Sequence, residues 1–93
     1  VITDIFDTGS GKVELLKATS DNSPITKFLE SRGSGVHHIA FRVDNLTLAL
    51  EELSQAGVTL IDTKPRVGAE GMLIAFLHPK STSGVLVELC QKP

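Results

Sequence analysis

The sequence predicts an α+β fold, in which a strand–helix–strand–strand–strand unit follows a β-hairpin. Three observations carry this. Gly35–Asp44 alternates at period two, with Ile39, Phe41 and Val43 on one face and His38, Ala40 and Arg42 on the other. Val85–Cys90 alternates likewise, with Val85, Val87 and Leu89 set against Leu86, Glu88 and Cys90. Between them Leu46, Ala49, Leu50 and Leu53 recur at helical spacing.

Val1–Phe6 reads as a strand, and Asp7–Gly11 as a turn whose Gly9 and Gly11 tolerate positive φ. Lys12–Lys17 is its hairpin partner, with Val13 and Leu15 facing one way and Glu14 and Leu16 the other. A polar loop runs over Ala18–Ser23. Ser23 then stands at a helix cap, with Pro24 at the first position and Ile25, Phe28 and Leu29 on the apolar face. Gly33 or Gly35 ends this short helix. After the central strand, Asp44 or Asn45 caps the second helix and Gly57 follows it. Val58–Ile61 reads as a short strand, Asp62–Gly71 as a long excursion, and Met72–Leu77 as a strand apolar on both faces. His78–Gly84 is a turn before the closing strand.

The triplet Val13-Glu14-Leu15 matches Val87-Glu88-Leu89 at the same point of a hairpin, which points to a degenerate internal repeat. The expected division is 1–18 as the last two strands of a truncated preceding module, 19–35 as helix and linker, and 36–93 as one complete module. A chain that opens on Val1 inside a strand is expected to be a fragment or a processed product.

Composition bounds the function. The 93 residues are 41% hydrophobic and 22% charged, an ordinary balance for one soluble domain. Nine basic residues lie scattered at a net charge of −2, so no nucleic-acid partner is implied. A single cysteine excludes an internal disulfide. No apolar run approaches bilayer length, so no membrane partner is expected.

Glu or His on the inner face of a half-buried strand requires a partner, a metal or a ligand. His38, Glu88 and Glu14 would together offer one imidazole and two carboxylates, a donor set that suits zinc, cobalt, nickel, iron or manganese. The alternative readings are solvated side chains, or His38 and Glu88 paired with each other. His37 faces away from His38 and reads as a packing residue. His78 reads as a turn histidine, Asp4 as solvent-facing, and Cys90 as a small buried hydrophobe. Arg42 shares the His38 side, where it would pair with a carboxylate or a substrate anion. Lys64, Arg66 and Lys80 read as loop charges that serve solubility.

The runs His37–Asp44, Phe76–Lys80 and Gly84–Leu89, with Val13–Leu16 and Ser23–Leu29, resemble the methylmalonyl-CoA epimerase family of the vicinal oxygen chelate superfamily. That superfamily includes glyoxalase I and the extradiol dioxygenases. The resemblance implies paired βαβββ modules cupped around a divalent metal, with Glu14, His38 and Glu88 as ligands and cobalt favoured over zinc, manganese or nickel. It implies epimerisation at C2 of methylmalonyl-CoA through a metal-stabilised enolate, with Glu88 also serving in proton transfer. The strand and helix that carry the family's further metal histidine have no counterpart in this sequence, most of the region of the family's second acid–base carboxylate is lacking, and that complementary role is left unassigned. An acyl-CoA substrate, a homodimer, and a bacterial cytoplasm or organelle matrix follow from the same resemblance. Another glyoxalase-type isomerase and a metal-free binding module on the same fold are the alternatives.

Overall fold

In the computed structural model, which describes Val1–Pro93, chain contacts divide the protein into two units, Val1–His37 and His38–Pro93. The first begins with an antiparallel hairpin of β1 (Ile2–Asp7) and β2 (Lys12–Lys17). Gly9, at φ 93°, makes the turn, and its N–H donates to Asp7 Oδ1 at 2.7 Å. The register aligns Ile2, Asp4 and Phe6 with Lys17, Leu15 and Val13 on one face. Ile5 and Glu14 stand opposite each other on the other face, so Asp4 and Glu14 lie on opposite sides. Ile2, Ile5, Phe6, Val13 and Leu15 are each more than half exposed.

Helix α1 (Pro24–Arg32) starts and stops where its residues dictate. The Ser23 hydroxyl accepts the Ile25 N–H at 3.2 Å, Pro24 fills the first turn, and Gly33 ends the helix at φ 71°.

The second unit is one βαβββ module. Its strands are β3 (His38–Arg42), β4 (Arg66–Val67), β5 (Leu73–Leu77) and β6 (Leu86–Gln91), in sheet order β3-β6-β5-β4. The β3–β6 pair is parallel and the others are antiparallel. Helix α2 (Leu46–Gln55) is capped by Asn45, whose side chain accepts the Leu48 N–H at 3.0 Å. Gln91 Oε1 also accepts the Leu46 N–H at 2.7 Å, which ties the helix start to β6.

Leu46 and Leu50 are buried against Ala75, Leu77 and Leu89, with Val43, Leu53, Val58, Leu60, Leu73 and Val87 around them. The helix therefore covers β5 and β6. Ile39 and Phe41 share the Val87–Leu89 row by register yet stay 44% and 54% exposed, because β3 lies at the sheet edge.

One strand assignment is corrected. Val58–Ile61 forms only a single bridge, Leu60 to Leu77, and the module's second strand is Arg66–Val67. The Ile61 and Asp62 N–H groups both donate to the Phe76 carbonyl, at 2.9 and 3.2 Å. Asp62 Oδ2 then accepts the Phe76 N–H at 2.8 Å. A side chain thus takes the acceptor position a ladder carbonyl would occupy, and the pairing stops. Pro65 has no N–H, and pairing resumes only beyond it.

Candidate functional site

The sheet of the second unit has a face that α2 does not cover, and the ladder registers define its side chains. His38, Ala40 and Arg42 of β3 align with Leu86, Glu88 and Cys90 of β6. Glu88 and Cys90 align in turn with Phe76 and Ile74 of β5, and Ile74 with Arg66 of β4. His38 and Glu88 are therefore diagonal neighbours on one face, about 8 Å apart at Cα from ordinary strand spacing and rise. The small Ala40 stands directly beside Glu88.

Phe76 sits at the centre of this face. Its ring meets His38 edge-on, with centroids 6.4 Å apart and planes at 79°. On its other side the Arg66 guanidinium lies 5.5 Å from the ring centroid. Arg66 Nε is 3.3 Å from Asp62 Oδ1, the same carboxylate that holds the Phe76 N–H.

Burial raises the Cys90 thiol above its ordinary value. The Glu88 carboxylate adds to the rise, and Arg42 opposes it. The Cys90 Sγ lies 3.6 Å from the Phe41 carbonyl, to which it donates. Cys90 is half-buried rather than the buried hydrophobe expected, and it stands in the electrostatic company of Glu88 and Arg42.

The other candidate residues have placements of their own. Glu14 lies on β2, in the hairpin unit. His37 packs on the short helix α1, its ring 5.2 Å from Phe28 at 69°. His78 Nδ1 accepts the Lys80 N–H at 3.1 Å and so caps the turn at Pro79–Ser81. No three His, Cys, Asp or Glu side chains come together as a group able to hold a metal ion. The donor set on the open sheet face is the pair His38 and Glu88, one imidazole and one carboxylate on adjacent rigid strands, which fits part of an N/O site for a divalent cation. A cavity of about 250 Å³ lies away from them, lined by Leu50, Glu51, Ser54, Gln55, Leu60 and Thr63.

The sequence reading gave no site role to Phe76 and Arg66 on this face, nor to Asp62, which bonds both. Arg66 sat in what read as a polar excursion, and only the pairing of β4 with β5 brings it onto the sheet. No helix is long and apolar enough to cross a membrane.

Comparison with known proteins places this architecture. Residues 1–76 match the family described as the Glyoxalase/Bleomycin resistance protein/Dioxygenase superfamily. The chain is 50% identical over 86 residues to the uncharacterized protein YqjC of Bacillus subtilis, covering 92% of this chain and 61% of that protein. It is 48% identical over 82 residues to a mitochondrial methylmalonyl-CoA epimerase of Dictyostelium discoideum, covering 87% of this chain and 49% of the relative. The crystal structure of methylmalonyl-CoA epimerase from Mycobacterium tuberculosis superposes with a TM-score of 0.83 at 31% identity, covering 98% of this chain and 62% of that one. The chain thus spans about half to two thirds of the length of these relatives.

Proposed function

This chain belongs to the glyoxalase/bleomycin resistance protein/dioxygenase superfamily, and from that premise we propose that it acts in methylmalonyl-CoA epimerisation, with His38 and Glu88 at the reacting centre. The observation that carries this reading is the common face of His38 and Glu88, in a chain 48% identical to a relative named as that epimerase.

The reaction needs a proton removed from C2, which lies between a thioester carbonyl and a carboxylate. Glu88 takes that proton, the C–H electron pair passes into the acyl group as an enolate, and a proton returned to the opposite face gives the other epimer. The group serving that opposite face is not assigned to a residue of this chain. A divalent cation held by His38 and Glu88 would stabilise the charge that develops on the acyl oxygens. Cobalt is the ion we favour. His38 has its imidazole ring set by Phe76, which holds the donor in place.

We read Val1–Ala18 as the last two strands of a companion βαβββ module, 19–35 as the connection, and 36–93 as the module carrying His38 and Glu88. The support is the repeated Val-Glu-Leu triplet, whose Val and Leu are exposed on β2 and face the helix layer on β6. A homodimer, and a bacterial cytoplasm or an organelle matrix, complete the proposal.

The test compares substrates and metal content. The metal-loaded protein should epimerise methylmalonyl-CoA and leave a glyoxalase-type hemithioacetal unconverted, and His38→Ala should lower both metal retention and turnover. Turnover of the hemithioacetal alone would move the assignment to a glyoxalase-type isomerase. Full metal retention in His38→Ala would remove the ligand assignment.

A further inference from the structure

Arg66 belongs to the same sheet face as His38 and Glu88, and the proton transfer described above makes no use of it. Strand β4 contributes only Arg66 and Val67, so this short strand places one guanidinium at the outer edge of the face. The guanidinium is held from two sides. Asp62 Oδ1 lies 3.3 Å from Nε, and the Phe76 ring lies 5.5 Å below. Asp62 is itself pinned, because its second oxygen accepts the Phe76 N–H and its own N–H donates to the Phe76 carbonyl.

Such a holder fixes the Nε edge of a planar fork and leaves the Nη donors outside the pair. The Arg66 side chain is 56% exposed, so those donors are open to a ligand. Stability alone explains the arrangement poorly. An exposed ion pair contributes about 0–1 kcal/mol, and an exposed cation–π contact about 0.5–1 kcal/mol. A lysine could not stack on Phe76, pair with Asp62 and present parallel donors at once.

We propose that Arg66 is the oxyanion-binding residue of this face, its Nη donors receiving an anionic oxygen group of an acyl-CoA. That group is either the carboxylate at the acyl end or a phosphate of the coenzyme A tail. The inference rests on the acyl-CoA reading above. Asp62 and Phe76 act as positioning residues that hold the guanidinium before the ligand arrives, so less side-chain freedom is lost on binding.

Calorimetric binding to the metal-loaded protein and its R66Q and R66K variants tests this with three ligands. Methylmalonyl-CoA carries both anionic groups, propionyl-CoA lacks the carboxylate, and methylmalonyl-pantetheine lacks the nucleotide phosphates. R66Q should weaken methylmalonyl-CoA binding about ten- to hundredfold, the effect of losing a charge-assisted hydrogen bond, and R66K should recover only part of it. If R66Q also weakens propionyl-CoA but spares the pantetheine ester, the partner is a phosphate. The reverse pattern identifies the carboxylate. Equal affinity of wild type and R66Q for all three ligands, with or without a lower Tm, overturns the proposal. Tight binding without epimerisation by the wild type would sink the epimerase reading alone. No binding of any ligand by the wild type would sink both.

Discussion

Replacing Gly68 with alanine should lower stability by an amount that depends on a single neighbour, Ile74. At φ −107° and ψ −156° the Gly68 backbone is extended and open to alanine, so left-handed strain plays no part. Space is the obstacle. An added Cβ would lie 2.9 Å from Ile74 Cδ1, 3.1 Å from Cγ2 and 3.3 Å from Cγ1. Ile74 is flanked in the sheet by Arg66 on one side and Cys90 on the other, which limits its retreat. Overpacking of this kind costs about 1–3 kcal/mol, and the stiffer unfolded chain returns about 0.4–1 kcal/mol. The net loss of roughly 1–2 kcal/mol corresponds to a Tm lower by about 4–16 °C in a domain of this size. Ile74→Ala removes all three opposing atoms. In that background Gly68→Ala should be neutral or stabilising by about 0.4–1 kcal/mol, so the two changes couple by more than 1 kcal/mol. Urea denaturation of the four proteins measures the cycle. Additivity within about 0.5 kcal/mol, or a Gly68→Ala protein as stable as wild type, would refute the packing argument.

Leu50→Ala, at a side chain 2% exposed under α2, should cost about 2–5 kcal/mol in the same assay. Ile5→Ala, at a side chain 57% exposed on the hairpin, should stay within about 0.5 kcal/mol of wild type. The Cys90 thiol offers a local probe of Glu88. Alkylation rate against pH should shift to lower pH in Glu88→Gln, which removes a like charge, and to higher pH in Arg42→Gln, which removes the opposing one. Because the folded thiol is raised, the unfolded chain releases that proton first as pH climbs. Cys90 therefore contributes a loss of stability through the alkaline thiol range, a slope that Cys90→Ser should abolish.

Where an element is set by local chemistry, the sequence announces it. Ser23-Pro24 and Asn45 cap their helices, and Gly33 and Gly57 follow them with positive φ. Period-two alternation assigned the faces of β2, β3 and β6 correctly, while the shared side of His38 and Glu88 comes from the pairing of β3 with β6, which spacing leaves open. Covering is another matter. Phe41 lies on the apolar face of its strand by alternation and is more than half exposed, since which strands α2 covers depends on sheet order.

The Val58–Val67 region was least legible. Val58–Ile61 has strand composition, but an aspartate side chain intercepts the ladder at Phe76, while Arg66–Val67 pairs with only two residues either way. Nothing periodic marks a two-residue strand, so Arg66 looked like a loop charge. His78, read as a turn histidine from its place before Pro79, is one: its Nδ1 accepts the Lys80 N–H.

Hydrogen exchange at C2 of methylmalonyl-CoA in deuterated solvent, followed by mass spectrometry or NMR with the metal-loaded protein, tests the role of Glu88 most directly. Wild type should incorporate one solvent deuteron at C2, and Glu88→Gln should slow that incorporation about 10²–10⁴-fold, the range for losing a positioned proton acceptor. Incorporation by Glu88→Gln at the wild-type rate would contradict the assignment of this sheet face as the place where the proton is taken.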